Sequence, residues 1–241
     1  IQSYASMTME KILCVKDKDP VSQISHPKVP AQNILSFVES LVNSLIQIVN
    51  YSNPANGNDG CYEYMMKCLM RVCLVLKDQV VSLLPFLYKE LRVSLERVMK
   101  QPIHPYYNHY LFEVLAICIS HTPPPPSPLL GEFEVQYFPL FQQILTQDIS
   151  EFIPYVFQIL AILLFHYRGG VGLTDAFRAL FLPLLSPVLW EKKGNVPALT
   201  DLFRAYVTVG GSTGEAVLIQ NITGVLGIFQ KLVASKVSVL M

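Results

Sequence analysis

Ser150-Glu151-Phe152-Ile153-Pro154-Tyr155-Val156-Phe157-Gln158-Ile159-Leu160-Ala161-Ile162-Leu163-Leu164-Phe165 is the stretch on which the fold turns. Read at 3.6 residues per turn, its apolar side chains occupy nearly the whole circumference of a helix. A membrane span needs roughly 18 or more consecutive apolar residues; this run is shorter and is interrupted by Gln158. The other apolar run, Ala179 to Trp190, contains Pro183, Ser186 and Pro187. A helix greasy on all sides cannot be covered by one partner. A two-layer stack of helical hairpins supplies neighbours on several sides, because each helix meets its mate and the equivalent helices of the hairpins before and after.

Outward from that run the same period recurs. From Ala31 to Asn50 the residues Ile34, Val38, Leu41, Leu45 and Ile48 alternate by four and three, with Asn33, Glu39, Asn43 and Gln47 on the other side. Further amphipathic helices are predicted at Tyr62–Leu76, Val80–Lys100, Tyr106–Ser120, Phe133–Leu145, Thr174–Leu189, Pro197–Val209 and Glu215–Lys236, with a partial helix at Ile1–Val15. Strand signals are almost absent. The breaks at Tyr51–Gly60, Gln101–Pro105 and His121–Gly131 are rich in Asn, Gly, Ser and Pro, and the run Pro123–Pro126 reads as a stiff connector.

Taken in pairs, the first helices begin near Ala31, Val80, Glu132, Thr174 and Glu215, a recurrence of roughly 40 to 50 residues that matches HEAT and armadillo repeats. Pro85, Pro139 and Pro183 are each expected inside a first helix, where a proline removes a backbone bond and bends the axis. The fold class is therefore all-α: a HEAT-type α-solenoid of stacked antiparallel helix pairs. Residues 1–241 are expected to form one solenoid segment of about five pairs, the first and last incomplete, excised from a longer chain.

Composition narrows the function. Lys plus Arg and Asp plus Glu both number 18, so no excess positive field favours nucleic acid, and no membrane insertion is expected. The cysteines Cys14, Cys61, Cys68, Cys73 and Cys118 are odd in number and no signal peptide opens the chain, which points to a reduced, intracellular setting. They contain no CxxC pair, and His104 and His109 are not spaced i, i+4 as a helical zinc site requires, so no metal or cofactor is expected. Gly169–Gly172 and Gly210–Gly214 lack the lysine and the strand-to-helix context of a phosphate loop and read as glycines at helix ends. No GxSxG or comparable nucleophile signature occurs, so the chain is not read as an enzyme. Lys89, Arg92, Glu96, Arg97 and Lys100 form a charged stripe, most simply a solvated face.

Several strings resemble the exportin-2 (cellular apoptosis susceptibility) family of the importin-β superfamily. They are Tyr107-Asn108-His109-Tyr110-Leu111-Phe112-Glu113, Glu151 to Gln158, Pro187 to Glu191 with Gly194 to Leu199, and Gly227 to Lys236, in matching order and spacing. The resemblance implies a receptor that shuttles between nucleus and cytoplasm, binds importin-α together with Ran-GTP, and does no chemistry itself. It implies partner contact on a concave face, where Asn108, His109, Glu113, Glu151, Gln158 and Asn195 are the candidates; Asn108 and Asn195 are equally open to reading as helix caps. The amino-terminal arch expected to hold much of Ran is absent from this sequence, and residues 51–60, 121–131 and 169–173 do not match the family strings around them. The alternative is a HEAT-repeat protein–protein scaffold that works without Ran.

Overall fold

A computed structural model describes residues 2–19, 22, 24–51, 62–168, 170 and 172–237, with side chains to 234. In chain order its helices are α1 (Gln2–Cys14), α2 (Val38–Tyr51), α3 (Tyr62–Leu76), α4 (Leu84–Lys100), α5 (Pro105–Ser120), α6 (Pro128–Thr146), α7 (Ile153–Phe165), α8 (Asp175–Leu184), α9 (Pro187–Glu191), α10 (Val196–Thr213), α11 (Ala216–Gln220) and α12 (Ile222–Val237). They fall into two compact units, Ile1–Pro123 and Pro124–Met241. Among the described residues no helix is long and apolar enough to cross a membrane.

In the first unit α3 is the middle of a layer, packed on α1 to one side and α5 to the other, while α2 and α4 form the second layer against it. A helix so placed must be apolar on several faces, and Met65, Met66, Cys68, Leu69, Met70, Val72, Cys73 and Leu76 of α3 are all buried. In the second unit α7 takes the equivalent place against α6 and α10. Its Ile153, Val156, Phe157, Ile159, Leu160, Ala161, Leu163 and Leu164 are buried. The all-round apolar run thus becomes a core helix of a stacked hairpin fold.

The ends of these elements depart from expectation in five places. Lys77 adopts a left-handed φ of 51° and stops α3; a 3-10 turn over Lys77–Leu83 follows. Pro85 consequently lies in the first turn of α4, where its missing N–H costs no helical bond, and bends nothing. Pro139 is inside α6 as predicted, and Pro183 stands next to the last residue of α8.

The stripe on α2 is rotated from the predicted one. Val42, Ile46 and Val49 are buried with Val38 and Leu45, while Leu41 and Ile48 are only partly covered. The cause is that α2 begins at Val38, after a short 3-10 turn, and touches both α3 and α4.

Thr174–Leu189 is two helices rather than one. Ser186 is extended at ψ 124° before Pro187, as the residue preceding a proline prefers, so α8 ends and α9 restarts with Pro187 in its first turn. The Trp190 indole N–H donates to the Leu184 carbonyl at 2.8 Å, satisfying an end the break would orphan.

Glu215–Lys236 likewise breaks at Asn221, whose amide donates to the Val217 carbonyl. Gly210 and Gly211 fall within α10 instead of at its end; Gly214, left-handed at φ 68°, is the residue that stops it.

The fifth difference is a two-stranded antiparallel ribbon, β1 (Lys16–Lys18) with β2 (Ser25–Pro27), in which Asp17 faces His26 and every residue is exposed. No apolar alternation announces it, because nothing in it is buried.

One further helix end matters later. After α6 the chain turns through Asp148 in a left-handed conformation, φ 51°, with the Ile149 N–H returning to the Ile144 carbonyl at 3.1 Å. The Asp148 carboxylate meanwhile accepts two bonds from Lys192, at 2.6 and 2.8 Å.

Candidate partner-binding face

A helix covered on three sides keeps one free stripe, and in this architecture the second helices of the pairs carry it. On α3 that stripe runs through Glu63, Lys67 and Arg71, and on α5 through His109, Glu113, Ala116 and Ser120, each row stepping by one helical turn. All but the exposed Ser120 are half-buried. Glu10 of α1 stands at the junction, its side chain 10% exposed. Arg71 Nη2 donates to it at 3.3 Å, Lys67 Nζ approaches to 3.8 Å, and the Cys14 thiol donates at 3.2 Å. Lys67 also lies over the Tyr110 ring at 5.7 Å, and that ring is tilted against His109 at 5.3 Å. One carboxylate, two cations and two aromatic rings from three helices thus form a continuous ledge.

Electrostatics follow from this packing. Burial pushes the Cys14 thiol up, and its bond to Glu10 pushes it further. Beneath the ledge the Cys68 thiol is pushed up to about 11 by burial, with Glu10 adding to the effect. These thiols stay protonated near neutral pH. What the ledge presents is a paired charge cluster with aromatic faces beside it.

The residues singled out from sequence separate into three groups. His109 and Glu113 lie on the ledge. Glu151, in the turn before α7, and Gln158, on α7, are exposed in the second unit. Asn108 and Asn195 are both only 3% exposed. Asn108 is in the first turns of α5 and makes no side-chain hydrogen bond among the described residues. Asn195 precedes α10 without capping it; its amide donates instead to the Leu189 carbonyl at 3.1 Å, closing the end of α9. Neither asparagine therefore caps its own helix through its side chain.

The charged stripe of α4 also divides. Lys89, Arg92 and Lys100 are exposed, with Arg92 on Glu96 at 2.9 Å. Arg97 is structural: it donates to the Val49 carbonyl at 2.6 Å and to the Tyr107 hydroxyl at 2.9 Å, closing the end of α2. Nearby, the buried Glu90 accepts from Asn50 and from Tyr51, and Ser94 donates to Asn50.

Sequence reasoning overlooked Glu10, Lys67 and Tyr110. The available signal was Glu63, Lys67 and Arg71 spaced one turn apart on a helix whose other residues are mostly apolar. Among the described residues no group of three or more His, Cys, Asp or Glu side chains could hold a metal; Cys61 lies outside them.

Comparison with known proteins gives a consistent result. Residues 10–239 match the family described as "CAS/CSE protein, C-terminus". Exportin-2 of Drosophila melanogaster is 38% identical over 98% of this chain, and that of Oreochromis niloticus 36% over 97%. Human exportin-2 is 34% identical over 98%. The chain spans 23% of the length of each. A solved structure of "the exportin Cse1 in its cargo-free, cytoplasmic state" superposes with a TM-score of 0.76 at 29% identity, over 97% of this chain and 22% of that one.

Proposed function

The chain belongs to the CAS/CSE protein family, whose relatives are exportins, and from that membership we propose that it serves as a segment of a nuclear export receptor binding importin-α together with Ran-GTP. The family match from residue 10 to residue 239 carries this reading. In such a receptor the two ligands favour each other's binding through a coupling free energy, and hydrolysis of GTP on Ran releases both. The receptor thereby returns importin-α to the cytoplasm and shuttles between the two compartments. The chain supplies surface rather than catalysis, in keeping with relatives that are transport receptors.

Within that role the free stripes of the second helices are the contact surface. His109 and Glu113 with Lys67 and Tyr110 in the first unit, and Glu151 and Gln158 in the second, are the residues assigned to partner contact. Asn108 and Asn195 are too enclosed to reach a partner's side chains directly and act from beneath the surface.

The test is capture of importin-α on the full-length receptor with and without Ran-GTP. Each ligand is expected to strengthen retention of the other, and the present segment alone to bind weakly. Retention of importin-α that ignores Ran-GTP would favour a plain scaffold, and retention of neither would overturn the transport role.

A further inference from the structure

The last two helices, α11 and α12, bury little side-chain surface against their unit. Among the described residues of α11 and α12, Val225 alone is buried. Apolar contact is concentrated along α12 and at one point on α11. Phe229 lies edge-on to Trp190 at 5.9 Å and to Phe203 at 6.4 Å, and Leu218 rests directly on Gly210, where a Cβ would collide with it.

At the start of α11 the tie is ionic. Glu215 Oε1 accepts from Arg178 Nη2 at 3.0 Å and from the Leu173 backbone N–H at 2.9 Å. Its Oε2 accepts from Arg178 Nε at 3.0 Å, so the guanidinium grips it with two parallel bonds. Arg178 Nη1 is in turn held by Asp175 at 2.8 Å. Gly172, at φ 77°, passes so close that a Cβ there would stand 2.8 Å from Glu215 Oε1.

The clasp therefore joins the beginning of α8 to the beginning of α11, the equivalent positions of two consecutive pairs. It sits directly after Gly214, the left-handed residue about which the chain turns. The carboxylate side chain is 11% exposed, while the arginine is 44% exposed and within reach of salt.

We propose that Arg178 and Glu215 form an ionic clasp that holds the last helical pair closed on the one before it, with Phe229 against Trp190 and Phe203 as the pivot and Gly214 as the hinge. Opening the clasp lets α11 and α12 rotate about that pivot while the rest of the unit stays folded. In a stack of pairs, a small rotation at one junction redirects everything beyond it. The device needs no partner, so it stands apart from the transport reading.

Amide hydrogen exchange on the 241-residue chain, read by mass spectrometry, tests it. In Arg178→Ala and Glu215→Gln, exchange across residues 216–234 and at Leu173 is expected to rise about tenfold, the scale of a partly buried bidentate pair. Residues 128–165 should keep wild-type rates. Arg178→Lys, which keeps the charge without the fork, should fall between. Raising NaCl from about 50 mM to about 1 M should speed exchange in the same region of the wild type and leave the two variants unchanged. Less than a twofold change in 216–234, an equal rise throughout 128–165, or a wild type indifferent to salt would each overturn the clasp.

Discussion

Phe203→Ala should remove most of the stability of the second unit's aromatic cluster. The ring is 1% exposed. It stands 5.2 Å from Trp190, 5.6 Å from Phe181, 6.3 Å from Tyr206 and 6.4 Å from Phe229, centroid to centroid. Truncating a buried phenylalanine to alanine costs about 3–5 kcal/mol, depending on how far the surroundings collapse into the hole. Here collapse would require α8, α9 and α12 to move together onto α10, and four ring contacts worth about 0.5–1.5 kcal/mol each, not additively, are lost as well. The expected loss is therefore about 4–5 kcal/mol, the upper part of that range. Trp190 is the single tryptophan of the chain, so urea unfolding followed by its emission reads this cluster directly. At a slope of about 1–3 kcal/mol per molar urea, the midpoint should fall by roughly 2 M. A loss under about 1 kcal/mol with an unchanged slope would refute the reasoning, because neighbouring rings would then have refilled the space.

Lys77→Gly should stabilise the first unit by about 0.5–1 kcal/mol, since a left-handed residue other than glycine carries a steric cost that exceeds glycine's extra unfolded freedom; an unchanged or lower melting temperature counts against this. Arg178 first, and then the Leu173 amide, hold the Glu215 carboxyl below its ordinary 4.5, outweighing the upward pull of its burial. With the folded value depressed, this contribution is present above 4.5 and disappears as pH falls through the lower folded value, so the stability gap between wild type and Glu215→Gln should close on acidification. A gap independent of pH would contradict it. A thiol reagent applied to the native chain should modify exposed Cys14 before the buried Cys68, Cys73 and Cys118. Glu10→Gln should quicken Cys14, because removing the negative charge weakens the hydrogen bond from the thiol and lifts the repulsion of its thiolate, both of which keep it protonated; peptide mapping gives the order, and early labelling of Cys118 would be inconsistent with this packing.

The fold was legible where burial alone dictates pattern. The Ser150–Phe165 run has apolar residues all round because α7 is enclosed by its neighbours, and the α4 stripe Leu84, Leu87, Leu91, Leu95 and Val98 is buried as its spacing requires. Periodicity was silent where a hydrogen bond decides. Pro187 is visible in the sequence, but the indole bond from Trp190 that satisfies the Leu184 carbonyl at the break is not. Pro85 reads as an internal bend until Lys77 is seen to end the previous helix early. The ribbon at Lys16–Pro27 has no buried face and hence no alternation to read. At the candidate face, His109 and Glu113 could be picked out as polar residues on a helix, yet their surroundings depend on α1, whose Glu10 is 57 positions away from Lys67 and meets it only through packing. Asn108 and Asn195 show the converse: polar residues near helix starts, drawn inward by the crowding of neighbouring helices.

Position 148 has a narrow tolerance for replacement. Its backbone curls in the sense that glycine and asparagine accept most readily, while its side chain must present two oxygens to Lys192. Glycine would relax the curl and drop the lysine; asparagine would keep the curl but surrender the charge; glutamate would keep the charge on a side chain ill-suited to that curl. Aspartate meets both demands, so in a collection of functional variants this surface loop should vary less than its exposure suggests.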